Sequence, residues 1–293
     1  MNRGTIGAVL ICIVTTFFWG GDSIGRAESE EWVIGLAATT VQALLICNVG
    51  GPGTAAQAQP VVEQFVLQIE KTAGWDKGSL KGVYQSRRPQ CESYMAESKP
   101  TIAALDLTTY LRFKKSWKLA PIAHMGAADS KRYYLLVREG SYKTLADLKG
   151  KTLISPFTSA PVFLEKLVLG GKVKVKDHFV LKQTYRPLKG LRKVARGQAD
   201  ATIVDEKAYK HLSELKLPVK LVPLVTSQPL PGLTLAVVGT NAAKPKALVK
   251  RIAKTLPQLC TGPGESLCKT FQISAFGKAN PSLYRKLQKR YDK

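Results

Sequence analysis

A turn rich in hydroxyl groups lies at Ser155–Pro161, with the sequence Ser-Pro-Phe-Thr-Ser-Ala-Pro, directly before an apolar run with helical spacing. A turn that offers hydroxyls and free main-chain amides at the start of a helix binds anions readily. Residues 201–205 predict a buried strand that ends in the carboxylate of Asp205. Because the carboxyl ends of parallel strands meet at one crevice, Asp205 should point towards that turn. These residues predict a cleft for a small molecule and not a catalytic centre.

Apolar segments of strand length alternate with helical segments along most of the chain. Strands separated by helices in this way predict parallel sheets that are covered on both faces. The helical spacing is clearest over Val61–Thr72 and over the basic run Pro281–Lys293. The predicted strands, near ten in number and therefore enough for two sheets, are residues 32–36, 80–84, 102–106, 133–137, 151–154, 179–182, 201–204, 220–225 and 233–238.

Turn-forming residues suggest where one lobe ends and another begins. The chain changes pattern near Gly140-Ser141 and again near Ser227–Pro231. If the chain passes between two lobes at both points, which we call seams, then residues 141–227 form a second lobe. This lobe is inserted between two parts of a first lobe, residues 28–140 and 228–293. The ligand cleft would then lie between the lobes.

The N-terminus has the features of a secretory signal. Arg3 precedes an apolar run, Ile6–Trp19, and Gly25-Arg26-Ala27 offers small residues at a cleavage site. A membrane span needs about 20 apolar residues, more than this run provides. The sequence therefore predicts a signal peptide over residues 1–27 and an exported protein, with an uncleaved membrane anchor as the alternative.

An even number of cysteines remains after such processing, which in an exported chain predicts disulfides. Cys260 and Cys268 flank a flexible turn, so their sulfur atoms can meet. Cys47 and Cys91 are then left as the second pair, and the sequence leaves open whether they join.

The chain is strongly basic, with 44 Lys and Arg against 21 Asp and Glu and a net charge of +23. The cations are spread along the chain and accompany no nucleic-acid-binding module, so no nucleic-acid partner is expected. The positive charge forms either a solvated basic surface or an electrostatic field that attracts small anions to a cleft. The two interpretations are compatible.

No enzyme chemistry is predicted. His124, His178 and His211 have neither metal-ligand spacing nor a nucleophile motif. The segment Gly51–Ala56 superficially matches the dinucleotide fingerprint Gly-x-Gly-x-x-Ala, but Pro52 and Pro60 disturb its turn and helix. We therefore expect no catalytic residue, no cofactor and no metal ion.

Several segments together resemble type 2 periplasmic solute-binding proteins. They are Tyr133–Arg138, the element Leu-Ala-Asp-Leu-Lys-Gly-Lys-Thr at Leu145–Thr152, and Val194-x-x-Gly-x-Ala-Asp-Ala201 followed by Asp205. The chain is most similar to the phosphate-, phosphite- and phosphonate-binding branch of ABC import systems, over about residues 31–285. The resemblance implies an α/β fold of two lobes, each a mostly parallel sheet flanked by helices, with the ligand cleft between them.

In that branch the hydroxyl-rich turn holds the oxyanion of the ligand, which implies this role for Thr158, Ser159 and the amide of Ala160. The branch has a glycine where this chain has Ala160, and the following Pro161 removes one amide donor. Arg186 stands where the branch usually has a histidine; it can pair with an anion or be one more surface cation.

The acid that matches Asp205 contacts an amino group of the ligand in this branch, although Asp205 can equally cap the helix that follows it. The resemblance also implies ligand residues in the first lobe. For Tyr110 the alternative is packing inside its own lobe. These first-lobe residues are Thr39, Thr40, Thr108 and Tyr110.

The combined interpretation is an exported, periplasmic solute-binding protein. As a monomer it would capture a small anionic or zwitterionic ligand similar to phosphonate or phosphate, by closure of its lobes, and present it to an ABC permease in the membrane. The alternative is a binding or sensor module of the same fold that serves no transport and partners an exported enzyme or a membrane kinase.

Overall fold

The computed structural model describes residues 41–51, 53–126, 131–239, 246–271 and 273–293. Thr39–Lys293 form one compact unit. The predicted signal peptide, the predicted strand at 32–36 and the predicted ligand residues Thr39 and Thr40 lie outside the described residues. None of the described helices is both long enough and apolar enough to cross a bilayer.

The described part of the chain alternates strands and helices, as the sequence predicts. The strands are β1 (Gln42–Cys47), β2 (Leu80–Gln85), β3 (Ile102–Leu105), β4 (Ala120–Met125), β5 (Tyr133–Arg138), β6 (Lys151–Ser155), β7 (Phe179–Gln183), β8 (Ala201–Asp205), β9 (Leu221–Thr226), β10 (Thr234–Val237) and β11 (Phe276–Lys278). The helices are α1 (Ala55–Ala73), α2 (Arg88–Ser98), α3 (Leu107–Phe113), α4 (Pro161–Phe163), α5 (Val175–His178), α6 (Pro187–Ala195), α7 (Glu206–Lys210), α8 (Lys246–Thr255), α9 (Glu265–Phe271) and α10 (Pro281–Asp292).

The strands form two sheets, which define two lobes and confirm the predicted fold class. Lobe I contains the sheet β11-β4-β10-β3-β1-β2, and lobe II contains the sheet β7-β6-β8-β5-β9. In lobe I, β1 runs parallel to both β2 and β3, and in lobe II, β6 runs parallel to both β7 and β8. The remaining pairs are antiparallel, so each sheet is mixed and not mostly parallel.

The antiparallel pairs have a simple origin in the path of the chain. β5 is the first strand after the chain enters lobe II, and β10 is the first strand after it returns to lobe I. Each inserts into a sheet without the crossover helix that a parallel neighbour requires. The crossings lie between β4 and β5 and between β9 and β10. The first seam therefore precedes β5, whereas the sequence predicts it near residue 140, with residues 133–140 in the first lobe.

The loop before α1 shows how local signals set a helix start. Thr54 accepts a hydrogen bond from the Gln57 amide, and the Gln57 side chain accepts one from the Thr54 amide. This capping box starts α1 at Ala55, six residues before the predicted start, with Pro60 inside the helix. The first turn of α1 therefore lies next to the end of β1.

The back of the molecule joins the two lobes. Gln288 of α10 donates a hydrogen bond to the Leu111 carbonyl of lobe I (3.3 Å), and Arg290 of the same helix donates one to the Lys166 carbonyl of lobe II (3.1 Å). Buried apolar residues of both lobes form one continuous cluster beneath α10. The lobes are thus held together on the side that contains the C-terminal helix.

Two disulfides are present, the expected bond between Cys260 and Cys268 and the bond between Cys47 and Cys91 that the sequence left open. Cys47 at the end of β1 is bonded to Cys91 in α2, and Cys260 is bonded to Cys268. The first bond joins two elements whose ends lie at the opening between the lobes. Chain entropy makes it the more stabilising of the two, because it closes a loop of 44 residues against 8.

Candidate functional site

A cleft of about 1620 Å³ lies between the two sheets. Lobe I lines it with the loop after β1 and the start of α2, and lobe II lines it with the start and exposed face of α6 and with the end of β8. These are the carboxyl ends of parallel strands in both lobes, where α/β sheets bind ligands. The cleft lies between the lobes, as the sequence predicts, but only some of the predicted ligand residues line it.

The two lobes touch at the floor of the cleft through a glycine. Gly50, after β1, has a φ of +75°, and a Cβ on it would lie 2.7 Å from the Cβ of Pro156 in lobe II. Only glycine permits both this backbone conformation and this approach. At the start of α2, the Arg87 guanidinium lies over the Tyr185 ring of lobe II, 5.8 Å from its centroid.

A buried arginine forms a second bridge at the floor. Arg88, only 3% exposed, donates hydrogen bonds to the hydroxyls of Thr108 (2.7 Å), Thr109 (3.5 Å) and, in lobe II, Ser159 (3.2 Å). Asp106 in turn accepts from both threonine hydroxyls. We call Arg88, Asp106, Thr108, Thr109 and Ser159 the floor cluster.

Asp106 organises the lobe I side of the floor cluster. Its carboxylate caps α3 by accepting from the Thr109 amide (3.0 Å), and it also accepts from the Val49 amide after β1 (3.2 Å). The acid is 2% exposed. Its negative charge is linked to Arg88 through the two threonine hydroxyls, which reduces the cost of burying both ions.

The predicted oxyanion turn is packed into the protein and does not line the cleft. Thr158 is buried, and its hydroxyl donates within lobe II, with Gln183 Oε1 as its nearest acceptor at 2.7 Å. Ser159 accepts from Arg88. Ala160 is buried directly before α4, which continues without a break into a π-helix over Leu164–Val168. The turn therefore presents no open helix N-terminus, and its part in ligand binding stays a prediction.

The predicted residues of α3 are also enclosed. Thr108 belongs to the floor cluster. Tyr110 is fully buried and packs edge-to-face on Tyr284 of α10, with ring centroids 5.1 Å apart. Burial raises the pKa of Tyr110 well above its ordinary value, so its phenol stays neutral. Its position fits the alternative of packing inside its own lobe.

Asp205 does line the cleft, but it already has a partner. Its Oδ2 lies 2.9 Å from Lys131 Nζ, and its Oδ1 accepts from the Ala208 amide at 3.0 Å, so it also caps α7. Burial opposes ionisation of Asp205, yet Lys131 and the Ala208 amide hold its pKa below the ordinary value. Burial likewise opposes the charge on Lys131, but Asp205 raises the pKa of that ammonium above its ordinary value.

Arg186, for which the sequence left a ligand role and a surface cation open, lines the cleft from the start of α6, together with cations that the sequence did not single out. Because Lys and Arg occur throughout the chain, these residues do not stand out in the sequence. Those along α6 do recur with helical spacing. These additional cations are Arg87, Lys131, Lys189, Arg192, Lys193, Arg196, Lys207 and Lys210. In the part of the chain that the structure describes, no three His, Cys, Asp or Glu side chains group as a metal site would require.

Comparison with known proteins agrees with this architecture. The family model described as the periplasmic substrate-binding protein of phosphonate ABC transporters matches residues 70–284. No curated protein sequence matches the chain.

Among solved structures, the chain is similar to a binding-protein component of an ABC phosphonate transporter from Pseudomonas aeruginosa (TM-score 0.64, 14% identity, 86% of this chain and 88% of that one). It is similar to a Xanthomonas citri protein bound to ATP (TM-score 0.65, 14% identity, 86% and 96%). It is also similar to the Prochlorococcus marinus protein PhnD1 in complex with methylphosphonate (TM-score 0.63, 11% identity, 85% and 97%). At these identities the likeness concerns the fold.

Proposed function

This chain belongs to the family of periplasmic substrate-binding proteins of phosphonate ABC transporters, and from that premise we propose that its cleft captures a small phosphorus oxyanion. One observation carries the proposal: of the charged residues known to line the cleft, nine are Lys or Arg and three are Asp or Glu. A cleft of one sign with low-dielectric walls concentrates ions of the opposite sign. The solved structures of similar fold include one with methylphosphonate and one with ATP, both phosphorus oxyanions.

The Asp205–Lys131 pair narrows the ligand class. An acid at this position would hold the amino group of a zwitterionic phosphonate. Here the Lys131 ammonium lies 2.9 Å from that acid and takes the place of such a group. A second cation would have to displace it. We therefore favour a ligand that is purely anionic, such as methylphosphonate, over 2-aminoethylphosphonate.

Capture by lobe closure fits the distribution of contacts. The lobes are joined at the floor cluster and along α10, whereas the cations that line the α6 wall of the cleft are exposed, apart from the half-buried Lys193. An anion bound between these cations and Arg87 of the opposite wall would neutralise both sides and favour the closed state. We further propose that residues 1–27 direct export and that the closed monomer delivers its ligand to an ABC permease.

The test combines calorimetry with small-angle X-ray scattering in the presence of methylphosphonate, phosphate, phosphite or 2-aminoethylphosphonate. We expect heat of binding and a smaller radius of gyration with the anions, and weaker binding of 2-aminoethylphosphonate. Absence of both signals with every phosphorus oxyanion tested, including pyrophosphate and tripolyphosphate, would overturn the proposal.

A variant tests the role of the ion pair. Lys131→Met leaves Asp205 without its cation and should shift the preference towards 2-aminoethylphosphonate by about tenfold, because a charged hydrogen bond becomes available. The matched control is Lys220→Met, which removes an exposed pair with Glu139 (2.9 Å) on the surface. Equal preferences in both variants would contradict the role of Lys131.

A further inference from the structure

One face of α6 consists of cations that point into the cleft. They lie at positions i, i+3, i+6, i+7 and i+10, which a helix places on one side. The opposite side, with Leu191 and Val194, is buried in lobe II. We call the cationic set, which lines the cleft, the α6 cation face: Arg186, Lys189, Arg192, Lys193 and Arg196.

The acids of the cleft do not neutralise this face, because each has another partner. Asp205 pairs with Lys131 (2.9 Å), Glu206 with Lys210 (3.4 Å), and Glu214 with His211 (2.9 Å). Within the described residues, no carboxylate lies within 4.0 Å of a cation of the α6 cation face.

The arrangement costs stability when no ligand is bound. Lys189 and Lys193, and likewise Arg192 and Arg196, are like charges four residues apart, and each such pair destabilises a helix. A phosphonate dianion can offset two charges of this face. A chain of phosphate groups can lie along the helix and offset most of them, because each phosphate accepts hydrogen bonds from Lys or Arg.

We infer that the α6 cation face makes the cleft selective for ligands that carry several linked phosphate groups. This inference rests on the proposed function, since it takes the same cleft and the same closure and names the ligand class. The shared chemistry is the phosphate chain, whether free, as in tripolyphosphate, or part of a nucleotide.

The test is calorimetry in low-salt buffer with methylphosphonate, phosphate, pyrophosphate, tripolyphosphate and ATP. Affinity should rise with each added phosphate, and tripolyphosphate should bind about 100-fold more tightly than phosphate, because the additional contacts are charge-assisted. Equal affinity for tripolyphosphate and ATP would assign recognition to the phosphate chain alone. Tighter binding of ATP would add a contribution of the nucleoside.

Two charge-matched variants locate the effect. The first replaces four residues of the face: Lys189→Gln, Arg192→Gln, Lys193→Gln and Arg196→Gln. It should lose about 100-fold in tripolyphosphate affinity and only about tenfold in methylphosphonate affinity, because a single phosphonate group meets fewer of these charges. The control removes the same charge from lobe II outside the cleft: Lys172→Gln, Lys176→Gln, Lys182→Gln and Lys216→Gln. It should keep the preference for the phosphate chain.

The results distinguish failure of this inference from failure of the proposed function. Lobe closure with methylphosphonate but no gain in affinity with chain length would overturn this inference and leave the proposed function intact. Equal losses of tripolyphosphate affinity in the two variants would also overturn it, because the effect would then come from net charge. Absence of binding and closure with all ligands would overturn both.

Discussion

The floor cluster holds one cation and the α6 cation face holds five, and the two regions differ in what surrounds the charge. Arg88 of the floor is 3% exposed and donates to three hydroxyls, behind which lies Asp106. Arg192 of α6 is exposed and has no carboxylate partner among the described residues. One region balances its charge internally, and the other does not.

This difference indicates a structural role for the floor cluster and a ligand-binding role for the α6 cation face. A buried ion must have partners inside the protein, because leaving it unpaired costs several kcal/mol. The floor cluster therefore joins the lobes and has little capacity left for a ligand. An exposed cation can remain unpaired at low cost, because water screens it. The α6 cation face is thus free to bind whatever anion enters.

The largest effect should follow from removing the acid of the floor. Asp106→Ala leaves the Arg88 charge buried without a counter-ion and takes the acceptor away from four donors, two hydroxyls and two amides. We expect a loss of about 3–5 kcal/mol in the free energy of unfolding. The midpoint of urea denaturation under oxidising conditions measures this loss.

Asp76→Ala is the control for that experiment, because Asp76 is exposed and lies in the same lobe. It should change stability by less than about 0.5 kcal/mol. Comparable stabilities of the two variants would show that the floor cluster does not need its acid, and the contrast with α6 would disappear.

The fold was largely predictable because buried strands are apolar. β5, β6, β7 and β8 lie where the sequence placed them. β4 was missed because Pro121 and His124 interrupt its apolar pattern, and β11 was missed because it is only three residues long.

The site was less predictable because its partners are distant in sequence. Nothing near Thr158 shows that Gln183, 25 residues further on, will accept its hydroxyl. Nor does the sequence distinguish Arg88, which is buried by contacts to Thr108 and Ser159, from the other 43 Lys and Arg. Asp205 could be placed at the cleft because it ends a predicted strand, and Arg186 because it stands where the resembling branch has a histidine.

An intermediate effect is expected where the floor meets the open cleft, at Asp205 and Lys131. Both side chains are about one-fifth exposed. Because the pKa of Asp205 is lowered by folding, its contribution is present above about pH 4 and is lost as the pH falls through the folded value. Because the pKa of Lys131 is raised, its contribution is present below about pH 10 and is lost as the pH rises further.

Lys131→Met should therefore lower stability by about 1–3 kcal/mol at pH 7. The difference from the unmodified protein should shrink as the pH falls below about 4 and through the lowered pKa of Asp205, because Asp205 then becomes protonated in both proteins. Urea denaturation at a series of pH values measures it, with Lys220→Met as the exposed control. A difference that stays constant down to pH 2 would mean that Lys131 acts through packing and not through its charge.

The smallest expected effect is a gain in stability, opposite in sign to the losses above. It tests the difference between the floor cluster and the α6 cation face most directly. Lys189→Gln removes like-charge contacts with Arg192 and Lys193 on the α6 cation face and keeps a good helix former. Without ligand, stability should rise by about 0.2–0.5 kcal/mol, which shifts the melting temperature upward by roughly 1 °C. Salt at about 0.5 M should remove the gain, because it screens the repulsion.

Lys216→Gln, on the surface, should show no gain at either salt concentration. If Lys189→Gln instead lowered stability, Lys189 would have a partner within the protein, and the α6 cation face would belong with the floor cluster as part of the internal structure.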